Sequence, residues 1–187
     1  MSGVSTASAR ALVLSVTVAL AAPACLHSEG NTDDPDPCYP GVFAEDAGAG
    51  SFTLVVGSDD AQQTRVASVW HDGDHVALAR GGQGGFMIRP ALDLTAPAAL
   101  PEIGERACIG VRMTPGAPAD AGPTLAGVKA RRTAGSSATY HIPALFGLLS
   151  FGSNLDGVAV PFTLDAQHAA GGAGHTQLTV VPDSAIR

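Results

Sequence analysis

The stretch Phe86-Met87-Ile88-Arg89-Pro90-Ala91-Leu92-Asp93-Leu94 alternates with a period of two. Its even positions are apolar apart from Pro90, and its odd positions include Arg89 and Asp93. Successive side chains on a strand point to opposite faces, so this pattern gives one buried face and one wet face. Val158-Ala159-Val160-Pro161-Phe162-Thr163-Leu164-Asp165 repeats the rule, with large apolar residues at every even position. Pro90 and Pro161 lack the N–H that a strand ladder uses, which predicts an edge strand or a bulge at each.

Further strands are expected over residues 52–56, 64–70, 75–79, 107–114, 125–131, 139–142 and 177–181. Between them lie turn signals: Gly57-Ser58-Asp59, Asp72-Gly73, Gly81-Gly82, Pro115-Gly116, Gly135-Ser136 and Gly171-Gly172. Short strands at this spacing, in a chain with 23 Gly and 13 Pro, predict an all-β domain. A single antiparallel β-sandwich is the expected architecture, with a small barrel as the alternative. The run Ala144-Leu145-Phe146-Gly147-Leu148-Leu149-Ser150-Phe151 fits a buried strand or one short helix, and its periodicity does not separate the two.

The strands begin near Ser51, and what precedes them has a different character. Residues 1–10 are polar and carry one charge, Arg10, and residues 11–22 carry none. Ala22-Pro23-Ala24-Cys25 follows. A charged start, a dozen apolar residues and a small-residue site read as a secretory signal peptide over 1–24. Its apolar run is shorter than the roughly 20 residues that span a bilayer. Ala22 and Ala24 suit the leader peptidase at −3 and −1. The same tetrapeptide resembles a bacterial lipobox, in which the Cys is acylated and becomes the first residue. That resemblance implies lipidation at Cys25, although this chain has Ala at −3 and Pro at −2. Residues 25–50, rich in Asp, Pro, Gly and Ala, read as a flexible acidic tether. Asp33, Asp34 and Asp36 lack the ligand register of a calcium loop.

The chain has three Cys, at 25, 38 and 108. An odd count in an exported protein leaves one thiol over. Acylation of Cys25 would account for it and leave Cys38 and Cys108 as a disulfide. Two reduced, buried thiols are the alternative. If Ile109, Val111 and Met113 face the core, Cys108 shares the outer face with Arg112. Loss of residues 1–24 removes only Arg10 from a chain of net charge −7, leaving −8. With a single Lys, Lys129, the chain offers no basic stripe for phosphate. Nucleic acid is therefore not an expected partner, and direct adsorption to an anionic membrane is disfavoured.

Asp72-Gly73-Asp74-His75-Val76-Ala77-Leu78-Ala79-Arg80-Gly81-Gly82-Gln83-Gly84-Gly85-Phe86 resembles a segment of uncharacterised exported proteins of the myxobacterial type. There a DGD turn leads into a strand, then a Gly-rich turn and an aromatic. The resemblance covers about a tenth of the chain and implies export and one hairpin of an Ig-like sandwich, with no known activity. Met87 stands where those proteins usually carry a His, so no role of that His carries over.

Candidate chemistry is sparse. His71 and His75 flank Asp72-Gly73-Asp74, so two His and two Asp fall within five positions. Zinc sites gather three or four ligands, and Asp-Gly is an ordinary hairpin turn, so an exposed turn is the preferred reading. His168 and His175 bracket a Gly-rich turn that could set them opposite one another; two exposed loop histidines are preferred. There is no G-x-S-x-G and no H-E-x-x-H, and Gly81-Gly82-Gln83-Gly84-Gly85 lacks the ending of a phosphate loop. Glu102 and Glu105 fall in a turn, where solvated carboxylates are expected. Trp70, the only Trp, closes a strand beside His71. It reads as a core or rim residue ahead of an exposed sugar platform.

No cofactor is implied. The expected function is that of a non-catalytic structural or interaction module at the cell envelope. It would be an outer-membrane lipoprotein of a Gram-negative bacterium, held to the membrane by its N-terminal lipid. The second reading is an envelope protein- or polysaccharide-binding module using Trp70, His71 and His75. The third is a metal-dependent or acid-pair hydrolase.

Overall fold

A computed structural model of the chain describes residue 38 and residues 51–81, 84–103, 106–169 and 171–186. The expected signal peptide over 1–24, the lipidation site Cys25 and the rest of the 25–50 tether lie outside the described residues. The alternating stretches form twelve strands and no helix among the described residues. They are β1 Thr53–Asp59, β2 Val66–Val69, β3 Asp74–Ala77, β4 Ala79–Arg80, β5 Phe86–Ile88 and β6 Ala91–Thr95, followed by β7 Arg106–Pro115, β8 Thr124–Arg132, β9 Thr139–Ile142, β10 Gly147–Ser150, β11 Val160–His168 and β12 Ala173–Asp183.

Nine strands make one sheet in the order β2-β1-β6-β9-β8-β7-β11-β12-β3, and β10-β5-β4 make a second. The large sheet curls until β1 and β12 approach: Phe52 N–H donates to Ala173 O at 2.9 Å. The turn after β2 carries the chain to the far edge, where Gly73 N–H donates to Thr179 O at 2.7 Å and β3 joins β12. That last pairing is parallel, so the expectation of a purely antiparallel arrangement is corrected at one edge. A parallel pair needs a crossover, which here runs from β3 through both sheets before reaching β12.

The alternation sorts core from surface as the sequence implies. Ile88, Leu92 and Leu94 are fully buried, as are Val160, Phe162 and Leu164. On β7, Ile109, Val111 and Met113 face inward and Arg112 lies in the outward phase. The small sheet packs on the inner face of the large one, with Gly147 of β10 directly against the Met113 side chain. The ambiguous run 144–151 thus contains a strand, β10, paired with β5.

Three boundaries differ from the sequence reading. The 86–94 stretch is two strands in different sheets, and Pro90 sits at the crossing, where Leu145 N–H donates to its carbonyl at 2.7 Å. The 75–79 segment divides likewise between β3 and β4. Pro161 is in no edge strand, because β11 pairs with β7 on one side and β12 on the other. Its carbonyl accepts from Gly116 N–H at 2.7 Å, on the side where β7 has just ended. The missing N–H faces a place with no ladder left to serve. Val158 precedes the strand and is exposed.

Candidate functional site

Cys38 and Cys108 form a disulfide, with Cα atoms 5.1 Å apart and a sequence separation of 70. Cys108 stands in the outward phase of β7 opposite Lys129 of β8. The bond therefore fastens the residue-38 end of the chain to the outside of a central strand, and Cys38 itself is buried.

Trp70 follows β2 and is 8% exposed. Its indole Nε1 donates to Ser58 Oγ at 3.0 Å, and its backbone N–H donates to Val56 O at 2.9 Å. With its ring packed into the core and its polar end tied, Trp70 is not the open platform on which a sugar stacks. His71 and His75 are exposed and lie on either side of the turn. Each has its own partner: His71 Nδ1 lies 3.4 Å from Asp74 Oδ2, and His75 Nδ1 lies 3.2 Å from Asp183 Oδ2. Asp72 turns away and accepts from Thr179 N–H at 2.7 Å, which pins the turn to β12. The two histidines and the two turn aspartates are thus spent separately on turn and edge geometry. Among the described residues, no three His, Cys, Asp or Glu side chains converge as a metal site requires.

The β11–β12 hairpin does not oppose His168 and His175. His175 pairs with Asp165, with Nδ1 and Oδ1 2.6 Å apart. His168 occupies an inward position opposite Ile109 and is buried, so the reading of two exposed loop histidines is corrected for His168. Desolvation holds its imidazole below the ordinary value, outweighing a backbone hydrogen bond at Pro101 that acts the other way. Glu102 is taken by Arg132, whose Nε donates to Oε1 at 2.7 Å. That bond keeps the Glu102 carboxyl below its usual range. Glu105 lies outside the described residues.

The most buried histidine is one the sequence reading did not single out. His141 of β9 is 1% exposed. Its Nδ1 lies 2.6 Å from Asp93 Oδ1, and its Nε2 lies 3.0 Å from Asp59 Oδ1. The second contact is close but misaligned for a hydrogen bond. The outer carboxylate oxygens are also used: Asp93 Oδ2 accepts from Val66 N–H and Asp59 Oδ2 from Ala144 N–H, each at 3.1 Å. Val66 belongs to β2, two strands away from Asp93, so β2 leans across β1 and roofs the cluster. Both ring nitrogens face carboxylates. Neither is placed to take a proton from a nucleophile, as the base of a catalytic triad must. The arrangement is a polar fastening. Its one sequence signal was a His and an Asp at outward positions in mid-strand, a pattern that ordinary surface strands share.

A cleft of about 350 Å³ opens beside Trp70. It lies where the ends of β1 and β2, the β3–β4 link and the β5–β6 crossing meet. Ser58, Trp70, Leu78, Arg89 and Ile186 form part of its wall, and His71 and His75 do not. No protein-family model matches this chain, and no curated protein or solved structure is significantly similar to it.

Proposed function

We propose that this chain is an exported, lipid-anchored, non-catalytic β-sandwich module of the cell envelope, Ig-like in its pairing of two sheets. The reading takes Cys25 as the acylated residue and 26–50 as a tether to the outer membrane of a Gram-negative cell. The observation that carries it is the Cys38–Cys108 disulfide. Such bonds persist in oxidising compartments and are rare where glutathione keeps thiols reduced. It also leaves Cys25 as the one Cys without a partner in this pairing, in the position that a lipobox reserves for acylation.

The non-catalytic part is supported by how the polar groups are spent. His141 is held against Asp93 and lies 3.0 Å from Asp59, and the outer oxygens of both carboxylates accept from the Val66 and Ala144 amides. His71, His75 and His175 each hold a single Asp at the surface. A module of this kind works through its surface, with an envelope protein or polysaccharide as partner.

The test is expression with the native leader in a Gram-negative host fed radiolabelled palmitate. The expected result is label on the mature protein and recovery with outer membranes. The Cys25→Ala variant should be unlabelled and released as soluble protein. An unlabelled wild type, or a Cys25→Ala variant that stays membrane-bound, would overturn the anchor.

A further inference from the structure

We propose that the cleft beside Trp70 binds a small amphiphilic carboxylate, with the carboxylate on Arg89 and the apolar body against Trp70 and Leu78. Nothing in this depends on export or anchoring, so the two readings fail separately.

The volume, about 350 Å³, lies within the roughly 300–1,000 Å³ of small-molecule sites. Such sites are mostly apolar, with a few polar groups that fix orientation. The wall of this cleft is mixed: Trp70, Leu78 and Ile186 supply apolar surface, while Ser58 and Arg89 supply donors. Among the described residues, no acidic side chain lines it.

Arg89 gives the site its sign. The chain carries 17 acidic side chains against 10 Lys and Arg. Arg65 and Arg132 each lie against an acid. No ion pair involves Arg89 among the described residues; its guanidinium lies over the Phe146 ring, 5.2 Å from the centroid. Stacking occupies the flat face of a guanidinium and leaves its in-plane N–H groups to donate. Those N–H groups match the two oxygens of a carboxylate. Ser58 Oγ already accepts from the Trp70 indole, so its own O–H is left to donate. Ser184 does not compete for the ligand, because its hydroxyl donates to Asp156 at 2.7 Å.

Position adds a second reason. Arg89 sits between β5 and β6 just before Pro90, which restricts the Arg89 backbone to extended conformations at the crossing between sheets. Trp70 is held at both its indole and backbone N–H. The anion-binding and apolar groups are therefore set on the ends of strands before any ligand arrives, which lowers the cost of binding.

Trp70 is the only Trp, so its fluorescence reports on this wall alone. The purified mature chain would be titrated with octanoate and, separately, 3-phenylpropanoate, below any micelle-forming concentration. Octanol and octylammonium serve as neutral and cationic probes with the same tail. The expected result is a saturable change with at least one carboxylate, binding at least tenfold tighter than either control. Arg89→Gln should weaken that carboxylate at least tenfold and leave octanol unchanged. Arg89 is exposed, so the variant should keep the wild-type melting temperature. If neither carboxylate gives a saturable change, or if Arg89→Gln binds it as wild type does, the site is not there. If Arg89→Gln melts early, Arg89→Lys is titrated instead. It keeps the charge without the fork, and should retain intermediate affinity; wild-type affinity would overturn the role given to Arg89.

Discussion

His141 Nδ1 lies 2.6 Å from Asp93 Oδ1, across a direct cross-strand pair between β9 and β6. With Asp59 at the other ring nitrogen, this one imidazole links three adjacent strands on the outward face of the curled sheet. His141→Leu keeps the bulk and removes the group between two carboxylates. Breaking a buried polar pair by removing one partner costs about 3 kcal/mol or more, because the remaining charge stays desolvated. The variant should unfold at correspondingly lower denaturant. In the double variant with Asp93→Leu, the two losses should fall short of adding. Full additivity would mean that the pair carries no coupling.

The disulfide closes a loop of 70 residues between a residue near the N-terminal end of the domain and a central strand. A cross-link of that span restricts the unfolded chain by an amount worth about 4 kcal/mol on the chain-entropy account. Dithiothreitol and Cys108→Ala should therefore lower stability by similar amounts, and combining them should add nothing. A non-reduced digest of the wild type should yield one peptide pair joining Cys38 to Cys108. Two free thiols there would remove the bond altogether.

The period-two alternation made the strand class and most of the core legible, because it depends only on which side of a strand a side chain leaves. Ile88, Leu92, Phe162 and Leu164 were readable in this way. Partnering between strands was not. Nothing local shows that Pro90 marks a passage between sheets, or that β2 would lean over β1 and bury an outward His. Asp93 therefore read as a wet residue and His141 as unremarkable. The same limit affected His168: placed in a loop by its Gly-rich neighbours, it is the last inward position of β11. Trp70 was legible as a packing residue. The cleft at its side depends on five separate segments and left no local mark.

β2 passes close against β1 at Gly57. A Cβ there would overlap the backbone oxygen of Ser68 and the Val66 side chain. Ala ordinarily stabilises a strand relative to Gly by about 0.5–1 kcal/mol. Here the obstacle is main chain, which cannot rotate away, so Gly57→Ala should push β2 outward at a cost of about 1–3 kcal/mol. Hydrogen exchange at the Val66 amide, which donates to Asp93, should quicken in the variant. Gly122→Ala, where a Cβ would meet nothing within 4 Å, is the matched control and should leave that amide unchanged.

His168 should make the fold sensitive to mild acid. Burial lowers its folded value below the ordinary 6.5. Between the two values the unfolded chain binds a proton that the folded chain does not. Unfolding free energy therefore rises with pH through that window, and stability falls as pH drops from 6.5 towards the folded value. This is the opposite of a His that gains a carboxylate partner on folding, whose contribution is lost as pH rises. His168→Gln removes the titrating group and keeps a polar side chain. Stability of wild type and variant would be measured by urea denaturation at about pH 7 and about pH 5. The expected result is a larger loss on acidification in the wild type. An equal loss in both would mean that other groups carry the acid sensitivity.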